Sequence, residues 1–245
     1  MWKLISGTVV ILLVLDNASS KGLPSYLKLC KRRSGNLRTC VAENVELLRP
    51  HLKKGIPELF IPSMDPLIIP EATLNSGDQF KATFRNIEMY HAENFKVDTF
   101  NFDLDHHHVD AKLTFPLLRI KSNYNINGRL LILQLNGQGP ADGNYTNVRA
   151  SLSLKGTPFK KNNKEYIRWE KEKIDIGIEK SHLSFDRLFG DNAQLNEQTN
   201  RAINDNIDGI IQELQPVIQG VVSDFVFTII NRVFARYSVN ELFIS

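Results

Sequence analysis

Apolar residues recur at Leu195, Ile203, Ile207, Ile210, Ile211, Leu214, Val217, Ile218, Val221, Val222, Phe225, Val226, Ile229, Ile230, Val233 and Phe234. Steps of three and four held over this stretch are the period of one helix face. They predict a single helix from Asn192 to Phe234, roughly 60 Å long at 1.5 Å per residue. Pro216 falls inside it, removes one backbone hydrogen bond and predicts a bend. A helix of this length cannot bury its own stripe, so the rest of the chain must cover it.

From Phe80 the period becomes two. Phe80, Ala82 and Phe84 alternate with polar residues, as do Ile87 and Met89, Phe95 and Val97, and Phe100, Phe102 and Leu104. After Asp105 to His107 the parity flips to Val109, Ala111, Leu113 and Phe115, as a tight turn produces. Tyr124 and Ile126 follow, then Leu131, Leu133 and Leu135, then Val148, Ala150, Leu152 and Leu154. Gly137 to Gly143, with three glycines and a proline, predicts a loop between strands. Phe159 to Lys173 predicts a charged hairpin turning near Asn162-Asn163, with Ile167 and Trp169 on one face. Ile174, Ile176 and Ile178 form the last predicted strand. One apolar and one polar face per strand is the pattern of an antiparallel sheet with one buried side. A strongly curved sheet wrapped around the long helix satisfies both elements.

Two segments precede the strands. Leu23 to Leu52 reads as helical, with Leu37, Val41, Val45, Leu48 and Leu52 on a stripe. Gly55 to Pro70 carries Pro57, Pro62, Pro66 and Pro70 among apolar residues, which predicts an extended segment lying on a hydrophobic surface.

The N-terminus changes the setting. Met1-Trp2-Lys3, an apolar run from Leu4 to Leu15 and Ala18-Ser19-Ser20 form a secretory signal, 1–20, too short for a membrane span. The expectation is an exported chain, 21–245, folded as one domain. In that setting the two cysteines, Cys30 and Cys40, pair by default, contributing about 2–3 kcal/mol. The net charge of +3 is spread along the chain, which gives no case for nucleic acid. Lys31-Arg32-Arg33 sits inside the cysteine loop as solvated charge or as a partner patch. Asn144-Tyr145-Thr146 is a glycosylation sequon in the glycine-rich segment.

Candidate chemistry is sparse. The chain has no G-x-S-x-G, H-E-x-x-H, P-loop or G-x-G-x-x-G, so the expectation is a non-enzyme without cofactor. His106-His107-His108 lacks the further ligands that a zinc site needs, and no metal is expected. The apolar stripe has two readings, filled core or one wall of a tunnel for a lipid-like ligand, and composition does not separate them.

Several motifs, in order and spacing, resemble the insect takeout and haemolymph juvenile-hormone-binding family. They are Cys30 with Cys40, Leu48-Arg49-Pro50, Gly55-Ile56-Pro57-Glu58, Asp65-Pro66-Leu67 with Ile69-Pro70, and Phe115-Pro116 with Leu118-Arg119-Ile120. Tyr124-Asn125-Ile126-Asn127-Gly128-Arg129, Phe185-Asp186-Arg187-Leu188-Phe189, Leu214-Gln215-Pro216, Asn231-Arg232-Val233-Phe234 and Glu241-Leu242-Phe243 complete the set. Where the family usually shows a proline after the long helix, this chain has Tyr237-Ser238. The resemblance implies an α+β fold: a long, bent C-terminal helix wrapped by a highly curved antiparallel sheet, of the tubular lipid-binding kind, with a short disulfide-linked helical region in front. It implies an internal hydrophobic tunnel, and a secreted carrier of a small terpenoid, fatty acid or similar ligand, juvenile hormone or a related compound among them. Some members are associated with circadian output, feeding or chemosensory tissue.

The candidate tunnel wall is Phe84, Phe102, Phe115, Leu133, Ile207, Ile211, Leu214 and Ile218, with Tyr124 or His182 as a polar group at one end. The expected protein is a monomer with no nucleic-acid partner and no stable membrane insertion. The rival reading is a secreted interaction protein with a closed core, meeting a cell-surface receptor through the Lys160–Lys173 hairpin. An esterase acting on such ligands is a third.

Overall fold

In the computed structural model, which describes residues 22–76 and 79–244, the predicted secretory signal lies outside the described residues. The chain starts irregularly, forms strand β1 at Cys30–Lys31, and then helix α1 at Leu37–Leu52. The helix predicted from Leu23 therefore starts only at Leu37. The reason is the Cys30–Cys40 disulfide, which folds the chain back before α1. Backbone pairing also holds Cys30 and Lys31 beside the C-terminus. After α1, Pro57–Leu59 is a single 3-10 turn inside the segment expected to be wholly extended. It is closed by the Ile56↔Ile61 bridge.

The sheet comprises β2 (Leu67–Ser76), β3 (Phe80–Tyr90), β4 (Lys96–Asp103), β5 (His108–Leu130), β6 (Leu133–Lys161), β7 (Lys164–Gly177) and β8 (Lys180–Phe185). All pairings within it are antiparallel. The strands β5 and β6, 23 and 29 residues long, form its spine. Each changes partner part-way: β5 from β4 to β3, and β6 from β8 to β7. Pro70 sits in β2 without breaking it, because β2 is an edge strand and the register passes from Ile69↔Ile87 to Glu71↔Arg85. The predicted turns at Asp105–His107 and Asn162–Asn163 are present, with His107, Asn162 and Asn163 at positive φ.

The predicted loop Gly137–Gly143 is instead the interior of β6. Its glycines make room for a chain crossing above: a Cβ on Gly137 would lie 2.5 Å from the Leu188 carbonyl oxygen, and one on Gly139 2.4 Å from that of Asp186. The sequon at Asn144 is accordingly on a strand, exposed, opposite Arg119 and His182. Ile174 and Ile176 continue β7, and β8 follows as a further strand.

The single predicted helix is two. Helix α2 spans Ala193–Asp205 and α3 Ile207–Arg236, with the break at Asn206, which leaves helical geometry at φ −112° and ψ 17°. Pro216 is accommodated within α3. Asparagines at four-residue spacing explain α2. Asn192 caps it, accepting from the Leu195 N–H. Asn196 accepts from the Phe189 N–H. Asn200 accepts from the Phe185 N–H and donates to its carbonyl, both at 2.8 Å. Asn204 does the same to Leu183, at 2.9 and 2.8 Å. The side-chain amides of α2 thus complete the free edge of β8, satisfying backbone groups that an open edge leaves unpaired. On α3, Asn231 makes the same two-point contact with Trp169 of β7, and Gln215 donates to the Ile176 carbonyl.

Helix α3 contacts both β7 and β2, which lie at opposite ends of the strand order. Only a sheet curled around the helix allows that. A short helix α4 (Val239–Leu242) and strand β9 (Phe243–Ile244), parallel to β1, close the end that carries the disulfide.

Candidate functional site

The buried apolar residues form four clusters. One joins Phe80, Tyr124, Ile126 and Leu135 to Ile203, Ile210 and Leu214 at the α2–α3 junction. A second lies mid-tube around Leu118, Val148, Ile174 and Ile176. A third joins Phe102, Trp169 and Phe243 beside the disulfide, and a fourth packs Leu52, Ile56, Leu59 and Tyr237.

Along α3 only Ile210, Leu214 and Ser223 are buried. Its most apolar 18-residue window is 6 % buried, although its length and composition would allow it to cross a membrane. A helix filling a core would be mostly buried. Ile211, Val217, Val221, Phe225, Val226 and Ile229 are half-buried and belong to none of the four clusters. Val217, Val221, Phe225 and Ile229 form one stripe, next to the face on which Leu214, Ile218 and Val222 meet the sheet. On the sheet, Phe84, Met89, Leu113, Phe115, Leu133 and Leu152 are half-buried at inward register positions.

The structure brings Phe84, Leu133, Ile207, Leu214 and Ile218 together in the first cluster, with Leu214 buried in its centre. Phe115 joins the mid-tube cluster, which shares Ile218. Phe102 is buried at the other end against Trp169 and Phe243. Ile211 joins no cluster. Tyr124 does not offer a polar group: its hydroxyl donates to the Asp186 carbonyl at 2.6 Å. His182 is exposed on β8.

Besides buried Ser223 on α3, one half-buried polar side chain at an inward position is Tyr145. It pairs with buried Leu118 across β5–β6 and packs on the mid-tube cluster. Its ring lies where a Gly143 side chain would be. Among the described residues nothing hydrogen-bonds its hydroxyl, and desolvation pushes its pKa up to about 12. In the sequence Tyr145 is hidden as the middle of the sequon. The flip that turns it inward comes at Asn147, whose φ is 50° and which is left unpaired between Phe115↔Val148 and Leu117↔Thr146 while the register is kept.

Two discrete cavities lie away from α3. One, about 430 Å³, is lined by Arg85, Asn123, Asn125, Gln138 and Arg187 among others. The other, about 260 Å³, lies between α1 and β4 at Ala42, Val45, Val97 and Phe100. The three adjacent histidines do not converge. His106 bonds Asp103 at 2.8 Å, which raises its pKa, while His108 meets Asp110 and Glu172. Among the described residues Asp65, His91 and Glu93 do converge, but the Lys53 ammonium already sits 3.0 Å from Asp65.

With the wrapped sheet and its helix in view, the relatives are consistent with one another. A family model described as haemolymph juvenile hormone binding protein matches residues 8–244. The chain belongs to that family. It is 24 % identical over 239 residues to the circadian clock-controlled protein daywake of Drosophila melanogaster, covering 92 % of this chain and 90 % of that protein. The Drosophila yakuba protein of the same name is 25 % identical over the same span. Among solved structures, Takeout 1 of Epiphyas postvittana superposes with a TM-score of 0.73 at 17 % identity, covering 84 % of this chain and 96 % of that one. That likeness fixes the family member's fold.

Proposed function

We propose that this family member is an extracellular carrier whose tube holds one small apolar molecule along α3. The observation that carries the reading is the half-buried stripe Val217, Val221, Phe225 and Ile229 on a helix that the sheet encircles. Side chains this apolar gain about 25 cal/mol for every Å² removed from water, so an occupant that covers them binds without any covalent step. The opposing wall is Phe84, Phe115 and Leu133, and the Tyr145 hydroxyl supplies one hydrogen bond in largely apolar surroundings. A linear terpenoid ester or a fatty acyl compound fits this chemistry: a long apolar body with one oxygen acceptor. The juvenile hormone in the family's description is one such molecule. The Cys30–Cys40 disulfide, the leader 1–20 and the exposed Asn144 sequon support export and glycosylation.

The test is extraction of natively purified protein with organic solvent and mass spectrometry of the extract, followed by melting of the stripped protein with terpenoid esters and fatty acids. A ligand at a hundred times its Kd adds about 2.7 kcal/mol, a rise of about 5–10 °C for a domain of this size. An empty extract with no melting shift for either class would overturn the carrier reading in favour of a closed-core interaction protein.

A further inference from the structure

The hairpin joining β5 to β6 is built against the usual rules of such turns. Leu130↔Leu133 is its last pair, leaving Leu131-Ile132 as a two-residue loop. Such loops favour glycine and asparagine, because the chain must adopt positive φ and face water. Here Leu131 holds φ 52°. Ile132 is 81 % exposed, more than any other large apolar residue among those described. Ile132 buries almost nothing in the fold, and Leu131 gains only a contact with the first turn of α3 at the cost of a strained backbone. Departures from local rules with so little folding gain mark function.

The tip is firmly mounted. Leu130 and Leu135 are buried in the cluster at the α2–α3 junction. A Leu131 methyl reaches the first turn of α3, 3.1 Å from where a Gly209 side chain would begin. Behind the tip, Arg129 donates to the Gln79 side chain at 2.8 Å. From Asn127 to Asn136 the hairpin carries this one cation and no carboxylate.

We propose that this hairpin is a shallow, reversible docking tip for a phospholipid surface. Two convex apolar side chains present far less than the roughly 800 Å² per partner that a stable protein interface needs. A lipid surface demands only immersion of the tip. Leucine and isoleucine enter the acyl boundary, while Arg129 and its amide neighbours lie at headgroup depth. This differs from membrane insertion of a span, and it places the α2–α3 end of the tube against the lipid. It does not depend on the identity of any cargo, or on there being one.

The experiment is co-sedimentation of the disulfide-bonded protein with vesicles of phosphatidylcholine, with and without phosphatidylserine. The comparison variant is Leu131→Gly with Ile132→Asn, whose residues suit the turn. The wild type is expected to sediment with both vesicles, more strongly with phosphatidylserine. The double variant should bind at least about tenfold more weakly, the equivalent of one apolar side chain, without a lower melting temperature. If it does melt earlier, Ile132→Asn alone, at a side chain that is almost wholly solvated, repeats the measurement. Wild-type protein that stays in the supernatant with both lipids overturns the proposal, as does a variant that binds like wild type. Lipid-free self-association abolished by the same variants would also overturn it and assign the tip to a second copy of the chain.

Discussion

Tyr145→Phe separates a ligand-facing hydroxyl from a structural one. The substitution leaves the ring, and so its packing on the mid-tube cluster, in place. The hydroxyl it removes has no hydrogen-bond partner among the described residues, and desolvation raises its pKa from 10.0 to about 12. A polar group desolvated without a partner costs about 1–3 kcal/mol. Because Tyr145 is only half-buried, the low end of that range applies, and the empty variant is expected to be as stable as wild type or up to about 1 kcal/mol more stable, with melting unchanged or raised by a few degrees. Ligand binding should move the other way. An occupant whose oxygen accepts from Tyr145 loses a hydrogen bond worth about 0.5–1.5 kcal/mol, an affinity fall of roughly three- to tenfold. A hydrocarbon of the same length should bind the variant no worse. Titration calorimetry with a matched ester and alkane reads the difference, and melting of stripped protein reads the stability. The reasoning is refuted if the stripped variant is destabilised by more than about 1 kcal/mol, because a net hydrogen bond is worth that much and the hydroxyl would then be satisfied by the fold. It is equally refuted if ester and alkane lose the same affinity. The alkaline range supplies a further check. The folded pKa lies above the unfolded one, so this contribution is intact below pH 10.0 and is lost as pH rises toward about 12. Tyr145→Phe should flatten the melting profile there, leaving the slope from Tyr124, whose pKa is also pushed up to about 12.

The remaining predictions follow from other parts of the tube. Asn200→Ala leaves the Phe185 N–H and carbonyl on the β8 edge without their partners and should cost about 2–3 kcal/mol in urea unfolding, against under about 0.5 kcal/mol for the exposed Gln198→Ala. Val221→Trp should abolish binding of the extracted ligand while leaving the melting temperature within a few degrees. Leu214→Trp, at a buried position, should instead cost about 1–3 kcal/mol by overpacking. If Val221→Trp binds normally, the stripe does not face the ligand. Glu241, held at about 2 by the Ser238 hydroxyl, Lys164 and the Ser238 N–H, contributes stability that is present above pH 4.5 and lost as pH falls toward 2. Glu241→Gln should therefore flatten the urea midpoint between pH 5 and pH 2 if this linkage is right.

Periodicity alone pointed to the architecture. A run of apolar residues at three- and four-residue steps, preceded by alternating strands with one apolar face, has few solutions, and a sheet curled around a helix is the one observed. The turns at Asp105–His107 and Asn162–Asn163 were legible because polar residues there coincide with a change of parity or direction. The tertiary structure decided what periodicity cannot carry. Gly137 and Gly139 resemble loop residues in the sequence, yet they lie in a strand, because the chain from Asp186 to Leu188 crosses close above them. Asn196, Asn200 and Asn204 look like solvated helix positions until the edge of β8 is placed beside them. The break at Asn206 lies within an unbroken apolar pattern, since the pattern records which side faces inward and not whether the hydrogen-bond ladder is continuous. The candidate site was legible only as a set of apolar residues. Phe102 and Leu214 are core, whereas Val221 and Phe225 are half-buried, and all four have the same character in the sequence. Burial depends on what arrives from distant segments, and only the folded chain brings those segments together.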